Sequence, residues 1–327
     1  MQQGNNGVSD TLEKERPVFG AKYFSVKKLL DHYGLKKPLD WEEVFGNGYP
    51  VEVEIGCGLG EFLNRTAAGC LEKNFVGIEI EWKRLVKTMR KLEAARLSNA
   101  RLFKLDAAVV FERLIAPRSL AMVYCLFPCP WPKKKHAKNR LFSTKFLRLV
   151  NSRLSKGGEL QVVTDYQPYV EWIKEASRNT GFKTSTRLIK PRFDTKFEKK
   201  WVSAGQNEFF EIIFTKQRHI NVPLKEDVEL KRFAIKDFVP ERFSMEDEKG
   251  AVTLIFKDIV FDARRQKAMV QVLVAEENLS QYAWINVEKG ADRWRIYLSP
   301  GQSLFPTMGI NRAIETVYRS AQKTMRD

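Results

Sequence analysis

A glycine-rich loop with an acidic residue ahead of it is the first feature of this sequence that could do chemistry. In VEVEIGCGLGEF, residues 51–62, Gly56, Gly58 and Gly60 directly follow a predicted strand, and Glu54 lies two residues before the first of them. Glycines at such a point allow a tight turn and let a ligand approach the backbone closely. A dinucleotide fingerprint has the spacing G-x-G-x-x-G, whereas the third glycine here comes one residue early. Taken alone, the loop also fits a plain turn between a strand and a helix.

Two further acids end the next two predicted strands. Glu79 ends the second strand, where a carboxylate can accept two hydrogen bonds from a ribose diol. Asp106 ends the third strand, where it can meet an adenine amino group. Any one of these acids could be a solvated strand end, but Glu54, Glu79 and Asp106 in register outline a nucleoside pocket without phosphates. S-adenosylmethionine carries a nucleoside and a cationic sulfonium but no phosphate, so the pattern favours it over NAD as the cofactor.

A proline-rich corner leads from a strand into a basic run. In LFPCPWPKKKHAKNRLF, residues 126–142, the apolar run 121–127 ends in Pro-Cys-Pro-Trp-Pro and is followed by several cations and one histidine. From Arg113 to Gly158 the chain has eleven Lys or Arg and no Asp or Glu. The run at 133–140 could be a solvated face, but its position beside the corner favours phosphate contacts. Trp131 fits a packing residue that stiffens the corner, with base stacking as the alternative.

The overall charge indicates a polyanionic partner. The formal net charge is +16, from 56 basic and 40 acidic residues, and residues 219–327 contribute 17 basic against 16 acidic, so the excess lies in the first two thirds. The four cysteines show no C-x-x-C spacing, which predicts neither a metal site nor disulfides and fits a cytoplasmic location. We find no signal peptide and no apolar run that could span a membrane, and we expect residues 1–18 to be disordered.

The elements that must position these residues alternate in type. Six apolar or β-branched runs lie between residues 51 and 214, and helical patterns such as the one from Ser143 to Gly157 separate them. This alternation predicts a doubly wound α/β sheet. After about residue 220, four alternating strand candidates precede a helix whose apolar face combines residues 310, 314, 317, 321 and 325. The sequence therefore predicts a Rossmann-like α/β domain over residues 19–218 and a smaller α+β domain over residues 219–327.

With TDYQPY at 164–169 and TKFE at 195–198 added to the loop and the corner, the chain resembles the bacterial tRNA (guanine-N7)-methyltransferases over residues 50–216. The resemblance implies a class I methyltransferase fold, S-adenosylmethionine bound by Glu54, Glu79, Asp106 and the glycine loop, and tRNA as partner. It implies guanosine contacts from the lysine after the corner, the T-D aspartate and the T-x-x-E segment, which here are Lys133, Asp165, Thr195, Lys196, Phe197 and Glu198. The methylated base would be the variable-loop guanine (position 46 in tRNA numbering). Thermophile members resemble this chain in carrying a C-terminal extension.

One position departs from the family pattern. The family has an active-site aspartate between the two prolines of the corner, and this sequence has Cys129 there. N7 of guanine needs no deprotonation, so we expect Cys129 and Asp165 to act by positioning, with Asp165 or Glu198 replacing the missing carboxylate. Two alternatives stay open: a pyrimidine C5-methyltransferase that uses Cys129 as nucleophile, and a tRNA-binding protein with reduced or lost catalysis. We expect no metal and a monomer or weak homodimer.

Overall fold

The computed structural model describes residues 25–325, apart from the side chain of Lys134. The predicted disordered segment 1–18 lies outside the described residues. Within them, the chain forms two β-sheets, each with its own apolar core. No helix of the described part is long and apolar enough to cross a membrane.

The first sheet has seven strands in the order β3-β2-β1-β4-β5-β7-β6. Its strands are β1 Val51–Ile55, β2 Asn74–Ile78, β3 Ala100–Phe103, β4 Leu120–Leu126, β5 Leu154–Thr164, β6 Phe182–Ile189 and β7 Phe209–Lys216. Strands β1 to β5 pair in parallel, and β7 enters antiparallel between β5 and β6. The order reverses between β1 and β4, and such a switch point opens a crevice at the carboxyl ends of the strands.

Helices cover both faces of this sheet. They are α1 Trp41–Phe45, α2 Glu61–Gly69, α3 Trp82–Ala94, α4 Ala107–Arg113, α5 Thr144–Arg153, α6 Gln167–Ala176 and α7 Lys196–Ser203. Helices α2 and α3 pack in one apolar cluster with Phe75 and Leu102, whereas α4 and α5 pack in another with Val53 and Val123. Because both faces are covered, β1 and β2 are buried at every position. The predicted doubly wound fold is confirmed.

The second sheet has five antiparallel strands in the order β8-β12-β11-β10-β9. They are β8 Phe233–Ile235, β9 Val252–Asp262, β10 Lys267–Glu276, β11 Leu279–Lys289 and β12 Trp294–Leu298, and α8, Met308–Lys323, packs on one face. Thr307 begins this helix by accepting a hydrogen bond from the Ile310 amide at 3.2 Å. The chain therefore continues from the α/β sheet into an α+β region, as predicted.

Two details of the predicted helices were wrong. The helix capped by Ser143 ends at Arg153, and Gly157 lies inside β5, since the backbone turns straight into the strand at Leu154. Met325 does not belong to the buried face of α8, because it follows the end of the helix and is 40% exposed.

The aromatic ring of Phe305 joins the second sheet to the first. Phe305 precedes α8, is fully buried, and belongs to the apolar core of the first sheet. Its ring stacks on His32 with the centroids 4.8 Å apart, and its backbone N–H donates to the Gln281 side chain at 2.7 Å. At the turn after β10, Glu277 accepts hydrogen bonds from Lys225 at 2.7 Å and Lys145 at 3.2 Å. The two sheets are thus joined by the buried Phe305 ring, by Leu279 of β11, which packs against the same core, and by several surface ion pairs.

Candidate active site

The glycine loop joins β1 to α2, and its three glycines have different tasks. Gly56, Gly58 and Gly60 all have positive φ, at 71°, 56° and 71°, which L side chains rarely adopt. A Cβ on Gly60 would lie 2.4 Å from Cγ2 of Thr88, so this glycine lets α3 pack closely. A Cβ on Gly56 would meet nothing within 4 Å. The loop therefore leaves open space beside Gly56, while Gly60 serves packing.

That space belongs to a cavity of about 700 Å³, the main cavity, at the carboxyl ends of β1, β2, β4 and β5. Six of the predicted site residues line it: Gly56, Glu79, Asp106, Cys129, Asp165 and Phe197. A small cavity of about 210 Å³ shares Gly56 and Phe197 with it and is also lined by Glu54, Gly58, Thr195 and Lys196. The structure thus brings most of the predicted residues to two adjoining cavities, whereas Gly60, Lys133 and Glu198 line neither.

Glu79 follows β2 directly and is held by the loop that it faces. One carboxylate oxygen accepts a hydrogen bond from the Gly58 amide at 3.1 Å, and the other accepts one from the Glu81 amide at 2.9 Å. The Arg84 guanidinium lies 3.8 Å away. These contacts fix the carboxylate at the wall of the main cavity, and each oxygen keeps a further lone pair for a ligand.

Glu54 is a buried carboxyl group with an unused oxygen. It is 4% exposed, and its Oε2 has no hydrogen-bond partner among the described residues. Burial raises the pKa of the Glu54 carboxyl to about 8, and the nearby carboxylates of Glu61 and Glu79 add to the rise. A hydrogen bond from the Leu63 amide, in the first turn of α2, opposes it. A cation entering the small cavity would find an acceptor that has no partner of its own.

Asp106 lies slightly further along the chain than predicted. Strand β3 ends at Phe103, so Asp106 does not end the strand but begins α4, where Oδ1 accepts a hydrogen bond from the Ala108 amide at 2.7 Å. The residue is exposed and lines the main cavity. Its carboxylate therefore faces the same space as Glu79 from the neighbouring strand end.

The proline-rich corner after β4 is a strained and clamped turn. Phe127 and Trp131, which flank the Pro-Cys-Pro unit, have φ of 56° and 43°. Such left-handed conformations in residues other than glycine cost on the order of 1 kcal/mol each and persist only where the surroundings enforce them. The Phe127 amide donates to the Val163 carbonyl of β5 at 2.7 Å. The exposed Cys129 side chain is thereby presented at the main cavity.

Arg140 also holds the corner in this conformation, and sequence analysis missed this role. Its guanidinium donates to the carbonyls of Pro130 at 2.9 Å and Trp131 at 3.2 Å. It also lies over the rings of Tyr169 and Trp172, at 5.6 Å and 5.1 Å from their centroids. Arg140 was expected to contact phosphate with the rest of the basic run, but it is occupied inside the protein. The sequence carried no signal for this role, because Tyr169 and Trp172 lie about thirty residues further along the chain, in α6.

The T-D and T-x-x-E motifs differ in whether their carboxylates are free to bind a ligand. Asp165 follows β5 and lines the main cavity, and no group of residues 25–325 is hydrogen-bonded to its carboxylate. Glu198 is buried, and its two oxygens accept hydrogen bonds from the amides of Arg192 and Asp194. Asp165 is thus free to meet a ligand, whereas Glu198 holds the loop before α7.

The T-x-x-E segment contributes its other residues to the cavities. Thr195 begins α7 by accepting a hydrogen bond from the Glu198 amide at 3.2 Å. Phe197, in the first turn, is 43% exposed and lines both cavities, and the exposed Lys196 lines the small one. Lys133 is exposed at the start of a 3-10 helix, Lys134–Asn139, outside both cavities. Within residues 25–325, no group of three or more His, Cys, Asp or Glu side chains could hold a metal ion.

Comparisons with known proteins give consistent similarities. Residues 49–211 match a family described as "Putative methyltransferase". The chain is 41% identical over 181 residues to the tRNA (guanine-N(7)-)-methyltransferase of Chlorobium phaeobacteroides, covering 55% of this chain and 89% of that protein. It is 29% identical over 290 residues to the enzyme of the same name from Thermotoga maritima, covering 86% and 92%. Among solved structures, the 16S rRNA methyltransferase KamB is 17% identical, with a TM-score of 0.44, over 54% of this chain and 93% of that one.

Proposed function

Because the chain belongs to the tRNA (guanine-N7)-methyltransferase family, we propose that it transfers the methyl group of S-adenosylmethionine to N7 of a guanine in tRNA. The observation that carries this is one shared space: the main cavity is lined by Glu79 and Asp106, two of the three acids expected to bind the cofactor, and by the corner and Asp165 expected to meet the guanine. Cofactor and base would therefore lie next to each other.

The residues fit S-adenosylmethionine by charge. The unpartnered oxygen of Glu54 suits the cationic ammonium of the methionine part, and open space beside Gly56 leaves room for the chain of that part. Glu79 would bind the ribose diol, and Asp106 the adenine amino group. When bound, S-adenosylmethionine supplies an electrophilic methyl group on a cationic sulfur. The main cavity is lined by four acids and a single cation, Arg84, which suits a nucleoside without phosphates. The cations Lys83, Lys87 and Lys196 line only the small cavity.

The protein's part in the reaction is alignment and charge stabilisation. N7 of guanine carries a lone pair and needs no general base, so the rate depends on holding the base in line with the donor. As the methyl group arrives, positive charge develops on the purine. The Asp165 carboxylate, accepting hydrogen bonds from N1–H and the 2-amino group, would stabilise that charge more than the neutral base. The exposed ring of Phe197 offers a surface on which the base can lie.

Cys129 takes the place of the family's second carboxylate, and in this scheme it contributes position rather than charge. A neutral thiol is a weak hydrogen-bonding group, so Asp165 carries the charge stabilisation alone. Glu198 is a poor substitute, since both of its oxygens are bound to backbone amides. The scheme therefore expects an active enzyme whose turnover is lower than that of a two-carboxylate site.

The proposal also includes finer features. The target is the variable-loop guanine, as the resemblance implies, and the protein acts in the cytoplasm as a monomer or weak homodimer. We place the boundary between the methyltransferase domain, residues 19–218, and the C-terminal domain, residues 219–327, after β7, which ends at Lys216.

Nucleoside mass spectrometry tests the reaction. The protein is incubated with unmodified tRNA and labelled S-adenosylmethionine, and we expect label in 7-methylguanosine. The Asp165→Asn variant should lower turnover by about 10² to 10³ without changing cofactor affinity. Label in a 5-methylpyrimidine, together with a denaturation-resistant adduct on 5-fluoropyrimidine RNA, would overturn the proposal and favour Cys129 as a nucleophile. Tight tRNA binding without methyl transfer would instead indicate a binding protein.

A further inference from the structure

The second sheet carries a large open groove far along the sequence from the active-site motifs. The groove, about 1550 Å³, runs along β8, β12 and the end of β11, and we call it the C-terminal groove. It is lined by residues 229–234, 288–290, 293 and 295–302. Five of these residues are basic, Lys231, Arg232, Lys289, Arg293 and Arg295, and two are acidic, Glu229 and Glu288.

This charge is concentrated, because the region as a whole is nearly neutral. Residues 219–327 carry 17 basic and 16 acidic side chains, so a random surface of this region would show similar numbers of each. The groove instead collects more than twice as many cations as acids. The acids are also partly occupied, since Glu288 accepts a hydrogen bond from the Tyr297 hydroxyl.

Three of the cations form no ion pair within the described part of the chain. Lys231 pairs with Glu315, and Arg293 pairs with Asp292 at 2.8 Å. For Arg232, Lys289 and Arg295, the residues from 25 to 325 provide no ion pair. An exposed cation without a partner is available to a ligand at no cost of breaking an internal contact.

Arg295 lies beside small residues of the second sheet. In the antiparallel register, Arg295 of β12 lies between Glu288 of β11 and Ala234 of β8, and the small side chain of Ala234 leaves space on one side. On the other side, a Cβ on Gly290 would lie 3.2 Å from Nε of Arg295, so the arginine lies close over this glycine. A planar guanidinium is suited to binding two phosphate oxygens at once.

We propose that the C-terminal groove binds the phosphate backbone of tRNA at a distance from the methylated guanine. This rests on the proposed function, which makes tRNA the substrate. The groove is open and long, so it suits an extended polyanion better than a single small anion. Contacts to phosphate add affinity and fix orientation without reading bases. The extension would thus bind a second part of the same tRNA whose guanine enters the main cavity.

Two triple variants with equal charge loss test this. The first, R232Q/K289Q/R295Q, removes the unpaired cations of the groove. The control, K249Q/K257Q/R264Q, removes three exposed cations of the same sheet region that do not line the groove. The affinity of the full-length protein for unmodified tRNA is measured by anisotropy over a series of KCl concentrations, and methyl transfer is measured separately. Thermal unfolding shows whether each variant is folded. If the triple groove variant is not folded, the single variant R232Q takes its place.

We expect the groove variant to bind tRNA at least about fivefold more weakly and to lower the slope of log K against log salt by about 2. The control should stay within about twofold, and R232Q should show roughly a third of the effect. The KM for tRNA should rise while kcat changes little. Equal losses in both triples, or a fall in kcat at unchanged affinity, would overturn the groove proposal. Because binding is measured without turnover, a wild-type protein that binds tRNA but methylates no guanine would refute the proposed function while the groove test still stands.

Discussion

The replacement of Glu54 by glutamine should make the protein more stable while weakening its cofactor site. Glu54 ionises normally in the unfolded chain, but burial raises its pKa in the folded protein from 4.5 to about 8. Since the pKa of Glu54 is higher in the folded protein than in the unfolded chain, its contribution to the free energy of unfolding is fully present below pH 4.5. This contribution is lost as the pH rises toward 8. At pH 7 the difference is about 3 kcal/mol. Glutamine does not titrate and keeps an oxygen for the Leu63 amide, so this loss disappears.

Urea unfolding of the wild type and of Glu54→Gln at several pH values measures the effect. The variant should gain about 1 kcal/mol at pH 5.5 and about 3 kcal/mol at pH 7, with the difference levelling off above pH 8. Calorimetry at pH 7 should show weaker S-adenosylmethionine binding, by about 1 to 3 kcal/mol, because the carboxylate that would meet the ammonium is gone.

Glu52→Gln is the matched control, two residues earlier on the same strand. Glu52 is also buried, but it pairs with Lys73 at 2.6 Å and accepts a hydrogen bond from Tyr124 at 2.8 Å. Its replacement should destabilise the protein by about 1 to 3 kcal/mol and leave cofactor affinity nearly unchanged. If Glu54→Gln is destabilising like the control, or if its gain does not depend on pH, then Glu54 is ionised in the folded protein and the reasoning fails.

Other changes probe the corner, the ribose site and the contact between the sheets. Cys129→Asp should raise the single-turnover rate of methylation by up to about 10², and Cys129→Ala should lower it by less than about tenfold. If alanine abolishes methylation and aspartate does not restore it, the thiol takes part in the reaction. Glu79→Ala should weaken S-adenosylmethionine by about 1.5 to 3 kcal/mol in calorimetry, and unchanged affinity would misplace the pocket. Burial lowers the pKa of His32 to about 4, so stability should fall by about 1 to 3 kcal/mol as the pH drops from 6.5 to 4. In His32→Phe this pH-dependent part should vanish, and a persistent slope would assign it elsewhere.

The sequence predicted best those elements whose own residues determine their secondary structure. Strand β2 is buried on both faces and is mostly apolar, β1 is recognised by its β-branched residues although it alternates with Glu52 and Glu54, and the loop after β1 is marked by its glycines. Strand β6 was missed because it lies at the sheet edge with most positions exposed, so it has no apolar run. Strand β8 was missed because it has three residues.

Within the candidate site, sequence alone could name residues but could not say which of their atoms are already occupied. The motif containing Glu198 gave no sign that both oxygens hold the preceding loop. Arg140 read as one more cation of a basic run, since its carbonyl and aromatic partners are brought to it only by the fold. The roles assigned to the cofactor and guanine residues stay predictions until ligand binding is measured.

Phe305 makes the extension difficult to lose. Its ring lies in the core of the first sheet, between His32 and the cations of Lys37 and Arg113. A deletion of the second sheet would leave a hole the size of a phenylalanine side chain, and such holes cost about 3 to 5 kcal/mol. That is a large part of the stability of an ordinary domain.

Removal of the C-terminal extension alone is therefore expected to destabilise the rest of the protein. A shorter descendant of this chain would first need substitutions around His32 that fill the space, and only then could the extension be removed without unfolding the rest. The repacking comes first because the buried Phe305 ring fills part of the core of the first sheet. In an engineered truncation the same order applies: the pocket for Phe305 must be repacked before the C-terminal residues are cut away.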